Sequence, residues 1–125
     1  MDAKKKKILL VEDDLLIVEI YTTRLKEAGF EIESEVDGES AIRKLKEKDF
    51  DLVLLDIVLP NLTGFEFLEK IRNNEKLKNV KVLILSNLGQ KTDVDKAERL
   101  GAIKYLIKAH YTPSEVVEEI KKILE

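Results

Sequence analysis

The sequence predicts an α/β sandwich in which five parallel strands are covered on both faces by helices. Two observations carry this. Short apolar runs alternate five times with segments of helical period, the rhythm of a parallel sheet joined by crossover helices. The chain has 125 residues, near the commonest domain size and roughly half of what an eight-stranded barrel would need.

The first strand is expected from about Lys7 to Glu12, its run Ile8-Leu9-Leu10-Val11 ending on Glu12-Asp13-Asp14. Asp14 suits the N-cap of the next helix, whose apolar face is Ile17, Tyr21, Leu25 and Ala28, with Gly29 placed to end it. Glu31 to Val36 alternates glutamate with Ile32, Ser34 and Val36, which suits a sheet edge. Asp37-Gly38 is a turn signal, and Ala41, Ile42 and Leu45 supply the second helix's stripe. Asp51 to Asp56 is the most apolar strand. A loop from Leu59 to Gly64 leads to a helix carrying Phe67, Leu68 and Ile71. Val80 to Leu85 is the fourth strand, followed by a helix using Val94, Ala97 and Leu100 and stopped by Gly101. The fifth strand is about Ile103 to Ile107. Thr112, Pro113 and Glu115 spell an N-cap, a first-turn proline and a capping box. The last stripe is Val116 or Val117, Ile120, Ile123 and Leu124.

Composition narrows the function classes. With 44% hydrophobic and 38% charged residues the chain reads as an ordinary globular protein. A formal net charge of −3 gives no broad electrostatic case for nucleic acid or an anionic membrane, and neither is expected as a partner. The basic run Lys4-Lys5-Lys6-Lys7 reads as a solvated terminus. Absence of cysteine excludes disulfides, thiolate nucleophiles and cysteine metal sites. No stretch approaches the ~20 apolar residues of a membrane span, and no signal peptide is evident. A cytoplasmic location and a single domain over residues 1–125, with no effector after the fifth helix, are the expectations.

The chemistry collects at the strand ends. Two apolar runs end on acids, Glu12-Asp13-Asp14 and Asp56; Val82-Leu83-Ile84-Leu85 ends on Ser86, and Tyr105-Leu106-Ile107 on Lys108. Open α/β sheets bind ligands outside the carboxyl ends of their strands, so Glu12, Asp13 and Asp56 converge there. Three close carboxylates repel unless their pKa values rise or a cation joins them. Hard oxygen donors with room for water favour Mg²⁺. Lys108 adds a second cation, and an anionic group held on Asp56 between the two fits phosphate best, with Ser86 offering a hydroxyl. The set suits in-line phosphoryl transfer with Asp56 as nucleophile, giving an aspartyl phosphate.

With these residues in order, the chain resembles a response-regulator receiver domain, the phosphoacceptor half of two-component signalling, along essentially its full length. The resemblance rests on Glu12-Asp13 after Ile-Leu-Leu-Val, and on Asp56 in Leu-Leu-Asp-Ile-Val-Leu-Pro-Asn-Leu-Thr-Gly. Ser86 after Val-Leu-Ile-Leu and Lys108 after Gly-Ala-Ile-Lys-Tyr-Leu-Ile complete it. It implies a flavodoxin-like (βα)5 doubly wound sandwich with strand order 2-1-3-4-5. It implies Asp13 as the main direct Mg²⁺ ligand, Glu12 acting largely through water, and Val58 contributing its backbone carbonyl. Asp56 would bind the metal and accept phosphate from a histidine kinase, a phosphotransfer protein or a small phosphodonor. Ser86 would move toward the phosphoryl group and Tyr105 would change rotamer with it. That would reshape the face built by the fourth helix, fifth strand and fifth helix for a downstream protein target not readable from the sequence. Catalysis of any reaction other than its own phosphorylation and dephosphorylation is not implied.

Two positions depart from the receiver pattern. Asn87 follows the switch hydroxyl where a small residue is usual, and either narrows access to Asp56 or hydrogen-bonds near the phosphoryl group. Ala109 follows Lys108 where proline is usual; a cis bond there would cost ~2.5–4 kcal/mol, so a trans bond or a strained loop is expected. Val58 and Leu88 flank the phosphate site with apolar side chains, predicting hindered attack by water and a long-lived phosphoprotein. Ile103-Lys104 stands where receivers that dimerise through the fourth-helix face carry an acidic pair, predicting a monomer or weak dimer.

Other readings compete at single residues. Lys108 could be a surface lysine and Ser86 a strand-end hydroxyl, and Tyr105 fits a packing tyrosine as well as a switch. His110, the only histidine, makes no metal site alone. A haloacid-dehalogenase-type phosphatase needs a second acid two residues after its nucleophile, where Val58 stands. A flavodoxin-type carrier lacks its phosphate loop here, because Glu12-Asp13-Asp14 would repel a flavin phosphate. The remaining alternative is a phosphorylation-independent interaction module with a receiver fold.

Overall fold

The structure, a computed structural model, describes residues 4–125. Strands β1 (Lys7–Val11), β2 (Glu31–Glu35), β3 (Leu52–Leu55), β4 (Val82–Ser86) and β5 (Lys104–Ile107) alternate with helices α1 (Leu15–Glu27), α2 (Gly38–Glu47), α3 (Gly64–Arg72), α4 (Lys91–Arg99) and α5 (Pro113–Leu124). The strands form one sheet in the order β2-β1-β3-β4-β5, every pair parallel. This is the expected doubly wound sandwich.

Strand alternation sorts the core into two layers. Leu9, Val11, Val53, Leu55, Val82 and Ile84 pack with Phe67, Leu68 and Ile71 of α3, Ala41 and Leu45 of α2, and Ala97 of α4. Ile8, Leu10, Leu52, Leu54, Leu83 and Leu85 pack with Tyr21 and Leu25 of α1 and with Val116, Val117 and Ile120 of α5. The three central strands are buried on both faces apart from Lys7, whereas no residue of β2 is fully buried. That contrast is the edge character its glutamates predict.

Two helices, α1 and α5, start on the expected side chains. Asp14 Oδ1 accepts from the Leu16 and Ile17 amides. Asp37, read as part of a turn, is the N-cap of α2 and accepts from the Ser40 amide. Thr112 and Glu115 close the capping box of α5, and a second box, Thr63 with Glu66, starts α3. Gly29 and Gly101 adopt φ of 97° and 83° just beyond α1 and α4, where a side chain would be strained.

Two local details differ from the sequence reading, and the bond after Lys108 agrees with it. β4 starts at Val82 rather than Val80, because Val80's amide and carbonyl bond to the Leu77 carbonyl and the Arg72 guanidinium. The chain after β5 makes a short 3-10 turn, Lys108–His110, where a loop was expected. Among the described residues every peptide bond is trans, including Lys108–Ala109.

Candidate functional site

Register places the polar groups. Val11 pairs with Leu55 across β1 and β3, so Glu12 and Asp56 leave the sheet side by side, and the Asp56 amide bonds to the Val11 carbonyl at 3.1 Å. Ser86 pairs with Ile107 across β4 and β5, so Lys108 emerges one residue beyond that pair. The four strand ends therefore meet at one edge, as the apolar runs predict.

The acids are deeply set. Glu12 is 2% exposed and Asp56 7%, while Asp13 stands exposed at the rim. The Lys108 ammonium reaches across β4 to both, donating to Glu12 Oε1 at 2.7 Å and Asp56 Oδ2 at 2.9 Å. The other oxygens are held by backbone: Asp14 N–H donates to Glu12 Oε2 at 3.0 Å, and Val58 N–H to Asp56 Oδ1 at 3.1 Å. Both carboxylates are thus fixed in orientation as well as position.

Electrostatics follow from burial. Desolvation pushes the Glu12 carboxyl above its ordinary range against the opposing pull of Lys108. Burial would depress the Lys108 ammonium, but its hydrogen bonds to Glu12 and Asp56 outweigh that and leave its pKa raised. One carboxylate oxygen each from Glu12, Asp13 and Asp56 lies within 4.8 Å of the others. A hard donor set with one rim acid open to water fits Mg²⁺.

The hydroxyls form a second, linked layer. Ser86 is fully buried, and its Oγ accepts from the Leu88 amide at 3.3 Å rather than facing Asp56 through a hydrogen bond. The Tyr105 hydroxyl donates to the Leu88 carbonyl. Burial, with the charges of Asp93 and Asp56 adding to it, pushes the Tyr105 phenol up to about 12. Leu88 thereby bridges the two residues named as switch candidates. Val58 and Leu88 are 58% and 39% exposed, and the Asn87 side chain is exposed beside them.

Two contributors were not assigned roles from sequence. The Glu12–Lys108 pair spans 96 positions and no local pattern announces it. Gly64 lets α3 start against the backbone of Asp56: a Cβ there would lie 2.6 Å from the Asp56 carbonyl oxygen and from Ile57 Cα. Its signal was the glycine closing the Leu-Pro-Asn-Leu-Thr-Gly run.

Comparison with known proteins agrees with this fold. Residues 8–121 match the family described as "Response regulator receiver domain". A CpxR-homologue transcriptional regulatory protein of Haemophilus influenzae is 39% identical over 118 residues, 94% of this chain and 50% of the relative. Chemotaxis protein CheY-3 of Vibrio cholerae is 32% identical over 98% of this chain and 94% of its own length. The chain spans about half the length of the first curated relatives it matches. Among solved structures, Vibrio cholerae chemotaxis protein CheY4 superposes with a TM-score of 0.89 at 27% identity, covering 96% of this chain and 99% of that one. The phosphorylated cyanobacterial phytochrome response regulator RcpA superposes with a TM-score of 0.83 at 28% identity, covering 96% and 91%.

Proposed function

The chain belongs to the family of response regulator receiver domains, signalling domains of two-component systems, and on that premise we propose that Asp56 is its phosphoacceptor. The observation that carries the reading is a nearly buried Asp56 carboxylate shared between Lys108 and an acidic cluster. A carboxylate oxygen of Asp56 attacks the phosphorus of a phosphohistidine or a small acyl phosphate. The bond from phosphorus to the donor breaks, its electron pair leaves with the donor, and a mixed anhydride forms on Asp56. Lys108 then turns one charge-assisted hydrogen bond from Asp56 toward the new phosphoryl oxygens. Held by Asp13, Asp56, the Val58 carbonyl and, through water, Glu12, Mg²⁺ would supply neutralisation of the phosphoryl charge.

Ser86 gives up the Leu88 amide to reach the phosphoryl group, and because Tyr105 hangs on the Leu88 carbonyl, the loop between β4 and α4 moves with it. The face of α4, β5 and α5 is the readout, for a downstream protein still to be found. The donor is a histidine kinase or phosphotransfer protein, in the cytoplasm, and residues 1–125 act as one receiver unit, monomeric or weakly dimeric. Among the described residues no helix is long and apolar enough to cross a membrane.

Incubation with acetyl phosphate and Mg²⁺ tests this by intact mass. One phosphoryl group is expected, absent in Asp56→Asn and in EDTA. No gain under conditions that label a known receiver would favour the phosphorylation-independent module instead. Val58 and Leu88 shield the anhydride, so the isolated phosphoprotein is expected to be long-lived. Replacing Val58 and Leu88 by asparagine and serine should speed its hydrolysis by about tenfold, which corresponds to ~1.4 kcal/mol of barrier.

A further inference from the structure

At the opposite edge of the sheet from Asp56, a cleft of about 460 Å³ opens between the segments that follow α3 and α4. Arg72, Lys78, Lys81 and Arg99 line it with the apolar side chains of Val80 and Ile103, and no carboxylate does. Lys78 is paired with Glu75 at 2.9 Å. Arg72, Lys81 and Arg99 make no ion pair among the described residues.

Arg72 is the built part of this cleft. Its Nε donates to the Leu100 carbonyl at 2.8 Å, Nη1 to Lys78 and Val80 at 3.0 and 2.8 Å, and Nη2 to Gly101 at 3.1 Å. A guanidinium has five N–H groups, so one Nη2 hydrogen stays available. Carbonyl dipoles satisfy the other hydrogens but leave the charge unbalanced by any anion. Helix dipoles account for Arg72 and Arg99 in the last turns of α3 and α4. They do not account for Lys81, in the segment just before β4. Ile103 is 47% exposed on the same wall, an apolar surface without a partner.

We propose that this cleft binds a small organic phosphate. Lys81 and Arg99 take the phosphoryl oxygens with the remaining Arg72 N–H, and the uncharged part of the ligand lies on Ile103 and Val80. Several cations without an acid suit a multiply charged group better than one carboxylate, and arginine adds planar, forked donors. At about 460 Å³ the open cleft has room for a mononucleotide-sized molecule. The cleft lies at the amino ends of β4 and β5, so the proposal stands apart from the chemistry of Asp56.

The test is titration of the isotope-labelled chain with ADP in EDTA, which keeps metal out of the acidic cluster, followed through backbone amide resonances. Saturable shifts are expected at residues 78–81 and 99–103, with pyrophosphate binding more weakly because it lacks the part that covers Ile103. The double variant Lys81→Ala, Arg99→Ala changes two exposed side chains. It should weaken ADP at least about tenfold while acetyl phosphate labelling of Asp56 is unchanged. Non-saturable shifts, shifts centred on Lys108, or equal binding by the double variant would overturn the proposal. So would an oligo-glutamate peptide binding more tightly than ADP, which would assign the cleft to an acidic protein segment.

Discussion

Lys108 holds together two carboxylates that would otherwise face each other nearly without solvent. The side chains of Glu12 and Asp56 are only 3% and 8% exposed, against 17% for the lysine. Removing one partner of such a pair leaves the others buried and uncompensated. Lys108→Ala should therefore lower stability in metal-free buffer by ~1–3 kcal/mol, measured by urea denaturation, with Mg²⁺ restoring part of the loss. Tyr105 makes a second residue-scale prediction. Its folded pKa is raised to about 12, above the roughly 10 of an unfolded tyrosine. The folded state then binds more protons between those values, so its contribution is complete below pH ~10 and is lost as pH rises through ~12. The difference in ultraviolet alkaline titration between the wild type and Tyr105→Phe should show one phenol ionising near pH 12. A normal phenol ionising near 10 would contradict the burial of this ring. At this scale Asp56 and Lys108 were legible because each interrupts an apolar run. The orientation of Ser86 was not, because a hydroxyl's partner depends on which backbone amide the following loop presents.

Elements meet through contacts that local pattern does not announce. Gly64 is the tightest: the first turn of α3 rests on the backbone of Asp56 and Ile57, and its amide donates to the Ile57 carbonyl at 2.8 Å. Gly64→Ala should push α3 off the proposed nucleophile, costing ~2–4 kcal/mol in thermal or urea unfolding and slowing the proposed phosphorylation. Arg72 does comparable work at the other edge, joining the end of α3 to the segments entering β4 and β5. Sequence offers only a basic residue in a last helical turn, which the dipole already explains. Its four carbonyl partners come from residues 6 to 29 positions away. The helix starts were more readable, since a capping box is complete within four residues. Thr112→Ala should cost α5 ~1 kcal/mol, and retained stability would mean that packing alone sets where this helix begins.

Over the whole molecule, parallel strands gather the carboxyl ends at one edge, where three acids face the single ammonium of Lys108 and a divalent cation would relieve their remaining repulsion. Mg²⁺ should therefore stabilise the fold as a ligand does, by about 2.7 kcal/mol at a hundredfold excess over its Kd. Calorimetry should show a higher Tm with Mg²⁺, reversed by EDTA and weakened in Asp13→Asn. An unchanged Tm across a Mg²⁺ titration would count against the acidic cluster as a metal site. The same topology leaves the amino edge to the last helical turns, each of which carries two basic residues. Acids thus gather where the proposed chemistry lies, while basic residues recur at the helix ends, although the net charge is only −3.

The sequence by itself determined the sandwich, the two-sided burial of its central strands, the starts of α1 and α5 and the list of polar groups at the strand ends. Those are properties of period, capping and interruption, all readable within a few residues. Only the tertiary structure decided which oxygen of each acid meets Lys108, that Leu88 links Ser86 to Tyr105, why Gly64 must lack a side chain, and that a basic cleft forms opposite. These depend on sheet register and close approach between segments far apart in the chain. A side chain's partner at that distance is chosen by three-dimensional packing, which no local pattern encodes.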